Sequence, residues 1–361
     1  MSDQTPKLSV VMATYNRAGT IGETLRHLAD QDLSPDCYEV IVSDDCSTDD
    51  TRGVVEEAAK RVPFALTYRH HAPNRGPGYT QNRGIEAAKA PIVLLMADDI
   101  FMSRHALTAH LEVHEAHPEP EVAVLGRVVQ SPKLDQSVFI KTWDPFRFSE
   151  FEGLTEVPYY RFWACNISVK REILTSCGGF REHRGRGGAA AHEDPELGYR
   201  LHKRGLRILH AAAALGHHYH VVSFETACKR KYETGLNFGE FQANVPEPEI
   251  AVSYHVLNRH TLRDHLRAWS SPRRQYLSAS NRSPAKVLAR HLLRVAAFNG
   301  LTIPWLWEPA VRKAEQDKSL ARLVNRDVYR GILFYYFLKG CRDGRRIYGH
   351  PDRLAASAAK P

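Results

Sequence analysis

Four short apolar runs, separated by helix-patterned stretches, constrain this chain more than any other feature. They are Leu8–Ala13 (LSVVMA), Tyr38–Ser43 (YEVIVS), Phe64–Arg69 and Pro91–Ala97 (PIVLLMA). Between the first two, Ile21, Leu25 and Leu28 recur at helical spacing. Ser47-Thr-Asp-Asp50 is a capping signal for a helix running to about Val62, and a Gly/Pro loop at 74–78 leads to a helix ending near Lys89. Strands alternating with helices of this length predict βαβ units in an α/β fold with a mainly parallel sheet. The fourth run is apolar throughout, which places it at the sheet centre with both faces covered. Ligands of open parallel sheets bind beyond the carboxyl ends of the strands. Here those ends carry Thr14-Tyr15-Asn16-Arg17, Asp44-Asp45 and Asp98-Asp99, so three polar clusters are predicted to converge on one crevice.

The remainder is less regular. Arg181–Ala191 (REHRGRGGAAA) reads as a mobile loop, Glu193–Arg204 as a helix stopped by Gly205, and Leu206–His210 as a short strand. After Asn244 the composition shifts to basic helices, so the chain divides into 1–244 and a basic α-helical region, 245–361. That charge is unevenly spread. Residues 251–361 hold 21 basic and 7 acidic side chains, whereas the first 250 hold 28 and 34. A basic tail on an acidic front points to an anionic partner or to a solvated helix surface. Its amphipathic stretches, Ala285–Phe298 and Val328–Cys341, allow helices that pack on the first domain or that attach to an anionic membrane surface. With 43% apolar residues the chain is no disordered segment. Its longest apolar runs, Ile92–Ala97 and Gly331–Leu338, fall far short of the roughly 18 residues of a membrane span. The six cysteines lack any C-x-x-C or zinc spacing and read as reduced thiols. With no secretory signal at the start, the expected address is the cytoplasm, or the inner face of the membrane as a peripheral protein.

Several residue groups could carry chemistry, each with a structural alternative. Adjacent Asp98 and Asp99 at the end of a buried strand repel one another and invite Mg²⁺ or Mn²⁺, although one Asp there would also cap a helix. One of Asp44 and Asp45 could accept from a base N–H or a ribose hydroxyl, the other capping the helix that follows. His192-Glu193-Asp194 opens a helix, whose dipole is expected to lower the carboxylate pKa and keep it ionised. Such a group is a cap or a general base. In an extended segment His218 and His220 share a face and could complete a metal site.

Taken in order, the segments SVVMATYNRA, VIVSDDCSTDDT, NRGPGYTQNRGI, IVLLMADDI, ACNISVKREIL…GGF, HEDPELGYRLHKRG and HHYH resemble the family-2 glycosyltransferases, inverting sugar transferases of GT-A fold. The resemblance runs from about Leu8 to about Gly235. It implies that Thr14, Tyr15, Arg17, Asn74, Gly76 and Asn82 line a nucleotide-sugar pocket and that Asp44 or Asp45 reads the base. Asp99 would be the metal ligand of the D-x-D motif, with Asp98 near ribose and diphosphate. Asp194, beside Glu193, would be the general base. His218 or His220 would complete the metal or diphosphate contacts, and Trp163, Cys165 and Asn166 would sit where donor sugar and acceptor meet. Two positions depart from the family pattern. Ala97 replaces the first acid of D-x-D, and Thr80-Gln81-Asn82 replaces Ala-Arg-Asn, leaving a donor-binding arginine missing or supplied by Arg75 or Arg83.

The implied reaction transfers a sugar from a nucleoside-diphosphate sugar to a hydroxyl of a glycan, lipid-linked or small-molecule acceptor, in glycan, cell-surface polysaccharide or glycoconjugate synthesis. A metal-dependent nucleotidyltransferase would need similar groups. A dinucleotide oxidoreductase is disfavoured because no G-x-G-x-x-G follows the first strand. A nucleic-acid-binding protein using the tail lacks a recognisable module, so no nucleic-acid partner is expected. Oligomeric state and donor base stay open.

Overall fold

The computed structural model describes residues 5–134, 137–142, 146, 148, 153–182, 192–244, 289, 292–293, 296–317, 319–320 and 324–348. The loop expected at Arg181–Ala191 falls, beyond Glu182, outside the described residues, as do most of Ala285–Phe298 and the residues directly after 244. The described residues form two compact units. The first holds 5–134, 146, 148, 153–182 and 193–221; the second holds 137–142, 192 and the described residues from 222 onward.

The first unit is built on strands β1 (Leu8–Thr14), β2 (Tyr38–Asp44), β3 (Ala65–His70), β4 (Ile92–Ala97), β5 (Ile100–Met102), β6 (Val122–Gln130), β7 (Glu156–Val157), β8 (Asn166–Lys170) and β9 (Arg207–His218). The main path of the sheet is β3-β2-β1-β4-β8-β6-β9-β5, with β7 beside β9. The β3-β2-β1-β4 half is parallel, as the alternating pattern requires. Beyond β4 the sheet is mixed: β8 runs antiparallel to both β4 and β6, and β9 runs parallel to β6 but antiparallel to β5 and β7. The expectation of a mainly parallel sheet therefore holds for the first half only. The physical reason is that β8 does not follow β4 through a crossover helix; it returns from a later segment and pairs in the opposite sense.

Helices α1 (Ile21–Ala29), α2 (Thr51–Ala59), α3 (Pro77–Ala87), α4 (Ala106–Ala116), α6 (Arg171–Ser176) and α7 (Glu193–His202) belong to this unit. Strands β1, β2 and β4 are buried along nearly their whole length, and the core runs through Val10, Met12, Val40, Leu94 and Ile167. The second unit contains α5 (Val138–Thr142), α8 (Phe224–Asn244), α9 (Glu308–Gln316) and α10 (Arg326–Tyr348). Helices α8 and α10 cross backbone to backbone. A β-carbon at Gly340 would collide with the Tyr232 carbonyl, and one at Gly235 with that of Phe337. Phe139, Phe224 and Tyr329 form an aromatic cluster in the same unit, with ring centroids 5.3–5.7 Å apart.

Candidate active site

The ends of β1 and β2 are sewn together by short polar side chains. Asn16, at φ +54°, accepts the Thr48 N–H on Oδ1 at 2.8 Å, and its own N–H donates to Ser47 Oγ at 2.8 Å. Arg17 N–H reaches Thr51 Oγ1 and Ala18 N–H reaches Asp49 Oδ2. A left-handed residue costs energy outside glycine, and here these bonds hold it. Tyr15, 47% exposed, is left pointing outward. Thr14 is buried, and its carbonyl accepts the Asp45 N–H at 2.9 Å.

Asp44 and Asp45 both turn inward to hold loops. Asp44 accepts from Ser47 N–H at 2.7 Å and Tyr68 Oη at 2.6 Å. Asp45 accepts from the N–H groups of Arg75 (2.7 Å) and Gly76 (2.8 Å), while Asn74 Nδ2 donates to the Asp45 carbonyl. These bonds fix the Gly/Pro loop that opens α3. Asn82 on α3 makes a reciprocal pair with the backbone of Phe180, accepting its N–H and donating to its carbonyl, each at 2.8 Å. Asn166 is fully buried: Oδ1 lies 2.9 Å from His110 Nε2, and Nδ2 donates to the Ala214 carbonyl at 2.9 Å. The side chains of Asn82 and Asn166 thus have internal partners. A buried amide needs its full hydrogen-bond complement, and the backbone supplies it.

The acid pair at the end of β4 is brought together with three other predicted groups. One guanidinium spans both carboxylates, with Arg17 Nε 3.2 Å from Asp98 Oδ1 and Nη2 3.6 Å from Asp99 Oδ2. His220 Nδ1 donates to Asp99 Oδ2 at 3.1 Å, and His218 Nε2 lies 3.6 Å from Asp99 Oδ1. The two imidazoles stack 5.4 Å apart, nearly parallel. β9 ends at His218, and its register against β6 sets that residue opposite Gln130, whose Oε1 is 3.3 Å from His218 Nδ1. Gln130 was not anticipated; only the strand register marks it. Burial, and then the neighbouring Asp99 charge, push Asp98 up to about 6 against the pull of Arg17. Burial would raise Asp99 too, but hydrogen bonds from His218 and His220, with the Arg17 charge, outweigh it and hold Asp99 well below the carboxylate range.

One donor atom from each of Asp99, His218 and His220 lies within 4.8 Å of the others. A carboxylate and two imidazoles, one of them oriented through its far nitrogen by Gln130, form a donor set that fits a divalent cation. Ala97 leaves that set without the first D-x-D acid.

Asp194 opens α7 and adjoins this cluster through residues 163–165. The Ala164 N–H donates to Asp194 Oδ2 at 2.9 Å, and the Cys165 carbonyl accepts the N–H of Ala97, next to the acid pair. The charges of Asp194 and Asp99 both add to the effect of burial in pushing the Cys165 thiol up. Asp194 itself is pushed up to about 6 by burial, against the Ala164 hydrogen bond. The helix-dipole expectation of a lowered value is corrected here: desolvation outweighs the N-terminal field. Glu193 is buried, and a β-carbon at Gly78 would sit 3.6 Å from its Cγ. Trp163 meets Phe146 at 5.7 Å, and Phe146 meets His218 edge-on at 5.2 Å. An aromatic wall therefore runs between the histidines and the segment that holds Asp194. Arg75, with its guanidinium 3.9 Å over the Tyr79 ring, is paired to Glu182 at 3.1 Å, and Arg83 lies 3.7 Å from the same carboxylate.

The fold is that of the GT-A glycosyltransferases. A mannosyltransferase from Pyrobaculum calidifontis, solved with GDP-mannose and Mn²⁺, superposes with a TM-score of 0.56 over 95% of this chain and 88% of its own, at 20% identity. Residues 9–176 match the model of glycosyl transferase family 2. A validoxylamine A glucosyltransferase from Streptomyces hygroscopicus subsp. limoneus is 31% identical over 227 residues, 56% of this chain and 49% of that protein. The poly(ribitol-phosphate) β-N-acetylglucosaminyltransferase TarS of Staphylococcus aureus (strain Mu50) is 29% identical over 136 residues, 38% of this chain and 24% of its own. The chain thus spans about half the length of the first relative and a quarter of the second.

Proposed function

We propose that this chain is an inverting glycosyltransferase that moves a sugar from a nucleoside-diphosphate sugar to an acceptor hydroxyl. The observation that carries the reading is the meeting of Asp98, Asp99, His218 and His220 next to a partly buried carboxylate, Asp194, whose pKa of about 6 suits a base working near neutrality. Asp99, His218 and His220 would hold the cation. Two nitrogen ligands favour Mn²⁺ over Mg²⁺, which prefers an all-oxygen shell. When bound, the cation supplies Lewis-acid neutralisation of a leaving diphosphate. Arg17 keeps the acid pair compensated, and exposed Tyr15 offers a ring at the rim for the base. Asp194 takes the proton from the acceptor hydroxyl as its oxygen attacks the anomeric carbon on the face away from the diphosphate. The Trp163 and Phe146 rings border the space left for a sugar-bearing acceptor, which is a glycan, a lipid-linked glycan or a small molecule. The first relative is named for validoxylamine A, and TarS for poly(ribitol-phosphate). A cytoplasmic setting belongs to the same reading.

The test is a panel of UDP-, GDP- and dTDP-sugars with Mn²⁺, scored by product. Release of nucleoside diphosphate supports sugar transfer; release of pyrophosphate would replace it with nucleotidyl transfer. Asp194→Asn is expected to lower turnover by about 10²–10⁴-fold with donor affinity unchanged. Turnover near that of the parent would remove Asp194 from the role.

A further inference from the structure

The second unit holds a firmly anchored turn that shows its apolar side to solvent. Around residues 297–307, Trp307 Nε1 and Thr302 Oγ1 both donate to the Ala297 carbonyl at 2.7 Å, and Asn299 Oδ1 accepts the N–H groups of Leu301 and Thr302. Phe298 packs on Trp307 at 5.1 Å and lies so close over Gly331 of α10 that no β-carbon would fit there. Ile303 is buried, and so are Val311 and Ala314 on α9 just after the turn. Against this fixed base Leu301 is 75% exposed, Trp305 84% and Leu306 55%. Leu301 and Trp305 are four residues apart and so share a face of the winding. Exposed large apolar side chains held on a rigid support mark an interaction surface.

The neighbouring charges say what kind. Arg290 and Arg294 precede the turn, Arg312 and Lys313 follow it, and Glu308 is the one acidic residue between positions 290 and 314. The Glu308 carboxylate is itself taken up by the Tyr336 hydroxyl. From 251 to the end of the chain the net charge is +14. Among the described residues no helix is long and apolar enough to cross a membrane. Apolar side chains including a tryptophan, flanked in sequence by arginine and lysine, are the pattern of a segment lying in an anionic lipid interface.

We infer that the Leu301–Leu306 turn is a membrane-docking element for anionic lipid: Leu301, Trp305 and Leu306 enter the headgroup and acyl boundary while the flanking basic residues pair with lipid phosphates. The test is co-sedimentation of the full chain with phosphatidylcholine vesicles, with and without phosphatidylglycerol, at low and high salt. Binding is expected only with phosphatidylglycerol, weakening as salt rises. The Trp305→Ser/Leu306→Ser pair is expected to lower the partition constant about tenfold or more, since each large apolar side chain leaving water contributes on that scale, with the melting temperature unchanged. No sedimentation of the parent with anionic vesicles at low salt overturns the proposal. So does equal binding by parent and variant, which would assign attachment to charge alone. A parent dimer that the same pair of substitutions converts to monomer in sedimentation velocity, without vesicle binding, would give the surface to a second copy instead.

Discussion

Asp194 and Asp99 are two acids with opposite fates, and single residues explain the difference. Asp99 gathers two imidazoles and a guanidinium; Asp194 accepts one backbone N–H and is only partly exposed. Because burial raises Asp194 to about 6, its basic form is present above that pH and lost below it. The expected profile of kcat/KM is flat near neutrality and falls about tenfold per unit below about pH 6. An acid limb near the ordinary aspartate value, around 4, would place the titrating base elsewhere. Asp99→Ala removes the one carboxylate of the three-donor set. It is expected to abolish the gain in donor affinity that Mn²⁺ gives in calorimetry; equal affinities with and without Mn²⁺ in the parent would deny the cluster a metal role. The types and positions of these acids and histidines were readable from the sequence, because each ends a strand or opens a helix. The sign of the Asp194 shift was not, since desolvation depends on what covers the group.

At the scale of elements, β1 to β4 were legible within a residue or two because their apolar runs are bounded by turn residues. β8 was not. Its sequence, NISVK, places Asn and Ser at buried positions, and they are tolerated only because His110 and His114 on α4 meet them: Ser168 Oγ lies 2.8 Å from His110 Nδ1 and 2.9 Å from His114 Nε2. No local pattern announces partners more than fifty residues apart. The same limit hid the partners of Asn82, whose amide ties α3 to Phe180. Asn82→Ala would leave the buried N–H and carbonyl of Phe180 unpaired, at about 1–3 kcal/mol each. The expected outcome is a loss of about 2–4 kcal/mol in denaturant unfolding, with donor affinity changed little in the protein that remains folded. A stable variant with weakened donor binding would return Asn82 to the pocket.

For the whole molecule, acid sensitivity follows from the same polar core. Burial lowers His110 to about 4 and His114 to about 3, below the ordinary imidazole value near 6.5. The unfolded chain therefore binds protons first as pH falls below about 6.5, and stability declines from there toward the lowered values. Asp194 and Asp98, both raised to about 6, act in the opposite sense between about 4 and 6, while His27, His71, His210 and His217, also lowered by burial, act with His110 and His114. Urea unfolding is expected to show stability falling between about pH 6.5 and pH 4. Replacing both histidines with glutamine should flatten that slope even if the variant starts less stable; an unchanged slope would show that other groups set it.

The grip on Asp194 comes from the main chain at Ala164, whose N–H is present whatever side chain that position carries. Trp163 and Cys165 on either side can therefore be exchanged in evolution, or in the laboratory, without unfastening this carboxylate. Under the role proposed for Asp194, a scaffold wired this way lets acceptor preference drift while the proton-transfer step stays in place.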